Sequence, residues 1–280
     1  MQLERNVVPL AADASLMWVG NPAKATKFVL LFHGGGYMAP LNPGHLNWCW
    51  NAYVKDGKGT VAVAILQYSL SPGAKYPMQL RQAVAGLNRM LNDGIDPKAL
   101  ILGGDSAGGN LSVQLVQHMR HPVVGIEPAR LDGRRLAGVF LVSPWISGQT
   151  DTVSFRDNGQ VDMLSSTIVM GSEEHVLGTR SEWAASSAAH PALSLDGDLH
   201  LLNGIQDVTK SLYITCGNEE VFRDDVRAFS EAVRRRNPDL ELQMDNGIGE
   251  VHDALLLEGE LGFVGDATRR MRQWASTQLQ

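Results

Sequence analysis

Short apolar runs alternate with longer amphipathic segments, and this alternation limits the fold more than any other feature of the chain. Five runs are typical of buried strands, namely FVLLF (28–32), TVAVAIL (60–66), ALILGG (99–104), LAGVFLVS (136–143) and SLYITCG (211–217), and LELQMDN (240–246) alternates like a final strand. Apolar residues recur at helical spacing in 77–94, 221–237 and 261–279. Parallel strands need crossover connections, which are usually helices. The pattern therefore predicts an α/β fold, with a mostly parallel central sheet and helices on both faces.

The size and composition of the chain are sufficient for one large core of this kind. It has 280 residues, of which 44% are hydrophobic and 19% charged. The stretch from 147 to 205 interrupts the alternation, because it is rich in Ser, Asp, Gly and Ala and shows no clean strand pattern. We expect a single domain over 1–280, with a cap inserted at about 147–205.

Charge and cysteine content exclude several functional classes. A net charge of −6 with scattered basic residues argues against nucleic-acid binding, which needs a concentrated Lys/Arg surface. Cys49 and Cys216 are too few for a disulfide framework or a zinc cluster. The N-terminus lacks the pattern of a signal peptide, and no apolar stretch approaches the roughly 18 residues of a membrane span. We predict a soluble, cytoplasmic protein with no stable membrane insertion.

The candidate nucleophile is Ser106, in the motif Gly104-Asp105-Ser106-Ala107-Gly108. The motif follows an apolar run directly and precedes LSVQLVQHM, which has helical spacing. A G-x-S-x-G sequence in a strand–turn–helix context is typical of a nucleophile elbow, whose sharp turn lifts the serine hydroxyl above the sheet. An ordinary glycine-rich turn is the alternative, and the other motifs of the chain decide between them.

A second glycine-rich loop, HGGGY at 33–37, follows the first predicted strand. Successive glycines let backbone N–H groups face a cavity and let a carbonyl oxygen approach closely. We expect the N–H groups of Gly35, Gly36 and Ala107 to hold the oxyanion that forms when the serine attacks. A phosphate-binding loop would need Gly-Lys-Ser/Thr or G-x-G-x-x-G, and neither accompanies this loop.

A serine hydroxyl needs a base to take its proton, and His252 is the candidate. It lies in GIGEVHDALLL, after the last predicted strand and before the last helix, where the histidine of this chain order belongs. Other histidines have structural explanations: His33 begins the glycine loop, and four more lie in polar, surface-like stretches, namely His45, His175, His190 and His200.

The imidazole needs a carboxylate that fixes its tautomer and stabilises its charged form. In this chain order the carboxylate follows the strand 211–217, where the sequence reads CGNEEVFRDD. Four residues qualify by spacing, and the first turn after the strand favours a glutamate; the candidates are Glu219, Glu220, Asp224 and Asp225.

The motifs HGGGY, GDSAGGN, the acidic loop and GEVHD, in this order, resemble those of the hormone-sensitive-lipase-like esterases, the α/β-hydrolase fold-3 group. The resemblance covers most of the chain and implies an α/β-hydrolase fold. It places the nucleophile on Ser106, the base on His252 and the oxyanion donors on Gly35, Gly36 and Ala107. The family's D-P-L-x-D-E acid motif falls on 220–225, so the resemblance implies Glu220 in place of the family's aspartate, with Glu219 next.

The chain also departs from the family at its N-terminus. HGGGY begins at residue 33, whereas family members carry a longer helical segment before it, so we expect an N-terminal lid that is shortened or absent. The pocket would then depend more on 147–205. Candidate wall residues, for each of which a plain core role is the alternative, are Tyr37, Met38, Trp145, Trp183 and Phe222.

These residues predict a serine hydrolase of the carboxylesterase type, acting through an acyl-enzyme on a small-molecule ester, with short acyl chains expected from the family alone. The reaction needs no cofactor or metal, and Glu173-Glu174-His175 lacks a partner at ligand spacing. An acyltransferase, lactonase, or amidase or formamidase would use the same triad. A ligand receptor with a disrupted triad is a further alternative, and a homodimer is common among similar proteins.

Overall fold

The computed structural model describes residues 6–11, 13–177 and 193–280 of the chain. Eight strands form one sheet in the order β1-β2-β4-β3-β5-β6-β7-β8. Their bounds are β1 Asn6–Pro9, β2 Ser15–Val19, β3 Lys27–Phe32, β4 Val61–Gln67, β5 Leu100–Asp105, β6 Gly138–Val142, β7 Ser211–Gly217 and β8 Glu241–Gly247. From β4 through β3 to β8 every neighbouring pair is parallel, whereas β1 and β2 are antiparallel to their neighbours.

The α/β-hydrolase fold predicted from the sequence is confirmed, and all six predicted strands are present within two residues of their expected ends. Sequence reasoning missed β1 and β2. Both are short: β1 has four residues, none of them buried, and β2 has five, of which three are buried.

Helices cover both faces of the sheet, as predicted. The bounds are α1 Pro43–Cys49, α2 Met78–Asn92, α3 Ser106–Arg120, α4 Val153–Asn158, α5 Ser166–Leu177, α6 Ile205–Val208, α7 Arg223–Arg236, α8 Ala254–Leu261 and α9 Asp266–Gln278. One core cluster contains buried residues of α2, α3 and α7, and the other contains those of α1, α8 and α9. Along β3, Leu30 and Phe32 belong to the first cluster while Val29 and Leu31 belong to the second, because successive side chains point to opposite faces.

The final predicted helix, 261–279, is wrong at its start. Leu261 ends α8, Gly262 turns the chain with φ +75°, and α9 begins only at Asp266. The buried carboxylate of Glu258 accepts hydrogen bonds from the backbone N–H groups of Gly265, Ala267 and Thr268 at 2.9–3.0 Å. The first N–H groups of a helix have no partner within the helix. The Glu258 carboxylate accepts hydrogen bonds from these groups, which favours the start of α9 at Asp266.

The connection from β6 to β7 is the long one, and its described part contains α4, α5, α6 and a short 3₁₀ turn at Leu199–Leu202. We refer to residues 147–205 as the insertion; its role as a cap stays a prediction, and Trp183 lies outside the described residues. Over the described ranges, every helix is too short or too polar to cross a bilayer.

Candidate active site

Ser106 stands at the junction of β5 and α3, with its backbone at φ +48°. A non-glycine residue rarely adopts this left-handed conformation, and it persists only where the surroundings enforce it. The enforcement is steric: a Cβ on Gly104 or Gly108 would overlap the carbonyl oxygen of Phe32 at the end of β3. Both glycines therefore let the turn pack directly against the neighbouring strand. The strand–turn–helix geometry expected of a nucleophile elbow is present.

The glycine loop after β3 lies against the same pocket as Ser106. Gly35 has φ +101°, and its carbonyl accepts hydrogen bonds from the N–H groups of Met38 at 2.9 Å and Ala39 at 2.8 Å. Within the described ranges, the N–H groups of Gly35 and Gly36 donate to no protein acceptor. That of Ala107 lies in the first turn of α3, where N–H groups lack intrahelical partners. The three donors proposed for the oxyanion are therefore compatible with that role.

Asp105, next to Ser106, connects the elbow to the glycine loop and to α1 through buried contacts. The carboxylate of Asp105 accepts hydrogen bonds from the Gly34 N–H at 3.0 Å and pairs with Nε2 of His45 at 3.2 Å. Burial lowers the pKa of His45, but the Asp105 carboxylate outweighs it and the net pKa is raised. The interpretation of His45 as a surface residue is wrong: its side chain is buried, because α1 folds back under the glycine loop.

His252 lies between β8 and α8, and it lines the same pocket as Ser106. Its imidazole is buried, with the ring of Phe222 standing edge-on at 5.2 Å between ring centres. Nε2 is 3.2 Å from Oδ2 of Asp253, a buried residue with φ +53°. Among the described residues, no hydrogen bond joins His252 to Ser106 in this conformation. The structure thus brings the two residues to one cavity while the imidazole is engaged by Asp253.

Of the four acid candidates, Glu220 is the fully buried one near His252. Its Oε2 accepts hydrogen bonds from the hydroxyl of Ser143 at 2.6 Å and from the N–H of Gly217 at 3.1 Å. Among the described residues, its Oε1 finds no hydrogen-bond partner, and neither does Nδ1 of His252, although both atoms are buried. Glu219 is partly exposed. The unpaired oxygen and the unpaired nitrogen make Glu220 the better candidate for orienting the imidazole.

The other two candidates, Asp224 and Asp225, lie in the first turn of α7. Asp224 accepts hydrogen bonds from the N–H of Ser154 at 2.8 Å and from Nε of Arg223 at 3.0 Å. Asp225 lies in the first turn of α7, where burial, Asp196 and other nearby carboxylates raise its pKa to about 7.

The titrating groups around His252 perturb one another strongly. Burial opposes the charged form of His252, yet the carboxylates of Asp253, Glu220 and Asp162 together raise its pKa. Burial raises the pKa of Glu220 to about 7, with the positive charge of His252 acting in the opposite direction. Burial also raises the pKa of Asp253, again against the effect of His252. Groups perturbed in this way are concentrated at functional sites.

The pocket is a cavity of about 360 Å³ at the carboxyl end of the sheet. Its lining includes Ser106, His252, Gly35 and Gly36, and most of its remaining walls are apolar. Three predicted wall residues, Met38, Trp145 and Phe222, line it, whereas Tyr37 is buried behind the glycine loop with its hydroxyl on Asn110 at 2.7 Å. Sequence reasoning missed the walls contributed by α5, by α8 and by the residues just before α5, which are Met163, Leu164, Ile168, Val169, Ser172, Leu256, Leu257 and Glu260.

Sequence reasoning also missed Asp253 and Asp162. Asp253 carried a signal, since it follows His252 directly and a carboxylate there can reach the imidazole. Asp162 carried none, because it is 90 residues from His252 along the chain. No cluster of three His, Cys, Asp or Glu side chains suited to a metal ion occurs in the described part of the chain.

Comparisons with known proteins place this geometry in context. A profile described as the alpha/beta hydrolase fold matches residues 29–256. An acetyl-hydrolase of Streptomyces hygroscopicus is 28% identical over 219 residues, covering 77% of this chain and 64% of that protein. An esterase of Acinetobacter venetianus is 24% identical over 229 residues, covering 81% of this chain and 67% of that protein. The chain therefore spans less than two thirds of the length of the Streptomyces relative.

Solved structures share the fold over the full length of the chain. A thermostable esterase from Pseudomonas putida superimposes with a TM-score of 0.79 at 19% identity, covering 100% of this chain and 83% of that one. An esterase of the bacterial hormone-sensitive lipase family gives a TM-score of 0.74 at 22% identity, covering 100% of this chain and 87% of that one. At these identities the likeness concerns the fold.

Proposed function

Because the chain belongs to the alpha/beta hydrolase fold family, we propose that it is a serine carboxylic ester hydrolase whose triad is Ser106, His252 and Glu220. The resemblance to hormone-sensitive-lipase-like esterases is confirmed at the level of the family. One observation carries the proposal: Ser106, His252 and the two loop glycines Gly35 and Gly36 line the same cavity. A nucleophile, a base and oxyanion donors are thus available to one substrate carbonyl.

In the acylation half-reaction, the Ser106 hydroxyl gives its proton to Nε2 of His252 while its oxygen forms a bond to the ester carbonyl carbon. The carbonyl electrons move onto oxygen, where the N–H groups of Gly35, Gly36 and Ala107 stabilise the charge. The carbon–oxygen bond to the alcohol then breaks, and the alcohol leaves with the proton from Nε2. This sequence requires Nε2 to turn from Asp253 to Ser106.

Deacylation repeats these steps with water. A water molecule gives a proton to Nε2 and attacks the acyl carbon, and the second oxyanion collapses to release the acid and restore the Ser106 hydroxyl. Glu220 contributes by stabilising the imidazolium on the Nδ1 side in both halves. Its buried, unpaired Oε1 supports this role.

For the substrate class we propose neutral esters with a short acyl group. The cavity of about 360 Å³ lies at the small end of the usual range for ligand pockets, and its walls are largely apolar. The relatives named as an acetyl-hydrolase and an esterase support the same class. Residues 147–205 serve as the cap in this proposal, since Met163 and Leu164 contribute walls. The homodimer stays a prediction.

The proposal is tested with a fluorophosphonate probe and with p-nitrophenyl esters from acetyl to dodecanoyl. The wild-type protein is expected to be labelled stoichiometrically, and Ser106→Ala is expected to be neither labelled nor active. The acetyl and butyryl esters are expected to give the highest kcat/KM. Equal labelling of Ser106→Ala would refute the assignment of the nucleophile, and a wild type that reacts with neither reagent would favour the receptor alternative.

The same assay separates the alternatives that share the triad. Product analysis with an ester, a lactone, an amide and an added alcohol acceptor reports which bond is cleaved and where the acyl group goes. Hydrolysis of the ester to free acid in the presence of alcohol is the expected result. Predominant transfer to the alcohol, or faster cleavage of the lactone or amide, would replace the esterase proposal with the corresponding activity.

A further inference from the structure

Asp162 lies between α4 and α5, in the insertion, and its carboxylate contacts the backbone of three segments. Oδ1 accepts hydrogen bonds from the N–H of His252 at 3.1 Å and from the adjacent Met163 N–H at 2.7 Å. Oδ2 accepts a hydrogen bond from the N–H of Val221 at 2.7 Å. Each oxygen of one side chain therefore holds a different loop.

The two loops are those that carry the proposed base and acid. His252 follows β8, and Val221 is the residue after Glu220, in the loop that follows β7. A hydrogen bond to a backbone N–H restrains the peptide itself, so it limits the position from which the neighbouring side chain extends. Because both bonds end on one carboxylate, they also set the separation between the two loops.

Asp162 is one of three polar side chains that contact the acid loop. Ser154 and Asn158 lie four residues apart on one face of α4, and Asp162 follows four residues later, beyond the end of the helix. The Ser154 hydroxyl donates to the carbonyl of Val221 at 2.6 Å, and Nδ2 of Asn158 donates to the carbonyl of Glu220 at 2.8 Å. All three side chains hold the acid loop, and Asp162 also reaches His252.

We propose that Asp162 is a positioning residue of the ester hydrolysis, which aligns the His252 imidazole with Glu220 through its bonds to the two backbones. The inference rests on the proposed function of the same site. It also gives the insertion a role in the chemistry besides shaping the pocket. The residues that follow Asp162, Met163 and Leu164, line the cavity, so one segment contacts both the substrate space and the catalytic loops.

The charge of Asp162 supports the same conclusion. Burial opposes the protonation of His252, whereas the carboxylates of Asp253, Glu220 and Asp162 favour it. Asp253 is itself influenced by two further charged groups, since Asp105 raises its pKa and His45 lowers it. Removal of any one of the three carboxylates that favour protonation of His252 is expected to lower the pKa of this residue. A substitution of Asp162 should therefore shift the pH dependence of activity.

The test compares Asp162→Asn with Asp196→Asn. The asparagine has a single acceptor oxygen, so one of the two loops loses its bond and meets an NH₂ group instead. Asp196 is the matched control, because its carboxylate also holds the insertion: it accepts from the Ser147 hydroxyl at 2.8 Å and from the Gly148 N–H at 2.6 Å. Neither of those partners belongs to a catalytic loop.

Kinetics with p-nitrophenyl acetate are expressed per active site, titrated with the fluorophosphonate probe. For Asp162→Asn we expect kcat to fall about tenfold with KM within about twofold of wild type. We also expect the acid limb of the kcat/KM profile to move to lower pH. Asp162→Ala loses the hydrogen bonds to both loops, and its kcat is expected to fall further, to about one hundredth of the wild-type value. Asp196→Asn is expected to match wild type within about twofold.

Three results would overturn the inference. They are equal kinetics for Asp162→Asn and Asp196→Asn, a decrease in kcat/KM of Asp162→Asn that comes only from a higher KM, or an acid limb of the Asp162→Asn profile at the wild-type pH. If Asp162→Ala does not fold, Asp162→Asn decides alone, and an NMR titration of His252 in that variant reports the pKa without any turnover. A wild type that fails to hydrolyse esters refutes the proposed function, whereas an active wild type with an unaffected Asp162→Asn refutes only the positioning role.

Discussion

The side of the pocket with the proposed nucleophile and the side with the proposed base are stabilised by different interactions. Ser106 is held by backbone packing: the turn at φ +48° places Gly104 and Gly108 directly against the carbonyl of Phe32. His252 is held by charges and hydrogen bonds, with the adjacent Asp253 at Nε2 and the distant Asp162 on its backbone N–H. The first arrangement depends on close backbone contact, whereas the second depends on carboxylates.

This difference has a functional consequence. Close packing against a backbone carbonyl restrains the turn that carries Ser106, and this restraint does not depend on pH. Carboxylates around an imidazole create an environment that depends on protonation, and they offer Nε2 a partner other than the nucleophile. We infer that substitutions on the nucleophile side change stability together with activity, while substitutions on the acid–base side change rate and pH dependence in a protein that stays folded.

The largest effect is expected on the acid–base side, from Glu220→Ala. If Glu220 is the triad acid, as proposed, loss of its carboxylate leaves the imidazolium without its partner and lowers kcat by about three orders of magnitude or more. Glu219→Ala is the matched control, because Glu219 is adjacent to Glu220 in the chain but its own side chain is partly exposed. This variant is expected to retain activity within about threefold. Steady-state kinetics per titrated active site measure both variants. The reverse ranking would move the acid to Glu219.

A smaller loss of activity, accompanied by a loss of stability, is expected from Gly108→Ala. The added methyl group overlaps the Phe32 carbonyl, so β3 and α3 must separate, at a cost of about 1–3 kcal/mol in the free energy of unfolding. We expect kcat/KM to fall about a hundredfold because the oxyanion donors shift with the elbow.

Gly171→Ala in α5 is the control for this substitution, since a Cβ there meets no atom within 4 Å. In a helix interior, alanine is expected to stabilise by about 0.5–1 kcal/mol. Chemical denaturation compares the two glycine variants. A Gly108→Ala protein as stable and active as Gly171→Ala would show that sterics do not hold the elbow.

The smallest effect concerns Asp253→Asn, which removes the carboxylate from Nε2 of His252. The base acts only when neutral, and the adjacent anion raises the pKa of His252, so wild-type activity rises at higher pH than it otherwise would. With Glu220 and Asp162 still present, we expect the acid limb of kcat/KM to move down by about one pH unit. An Asp93→Asn variant, at an exposed ion pair with Arg89, is expected to keep the wild-type profile. An acid limb of the Asp253→Asn profile that stays at the wild-type pH, or moves to higher pH, contradicts this account.

Much of the proposed nucleophile side was predictable from sequence because the glycines that permit its turn are neighbours of Ser106 in the chain, although the carbonyl of Phe32 that they pack against is not. Glycines at fixed offsets around Ser106, between an apolar run and a helical pattern, specify a turn whose geometry depends on residues within a few positions. The predicted strands held for the same reason, since a buried parallel strand is a continuous apolar run. The end of a helix at Leu261 was missed because Glu258, which bonds the start of α9, has no local signature of that role.

The six strands from β3 to β8, the glycine turn at Ser106 and the order of the motifs could be derived from the amino-acid sequence. The sequence did not reveal which carboxylates surround His252, that His45 lies buried against Asp105, or that Asp162 holds two loops at once. Strands and turns leave local patterns of apolar residues and glycines in the sequence. Electrostatic and hydrogen-bonding partners that are distant in the chain are brought together only by folding, so they leave no such pattern.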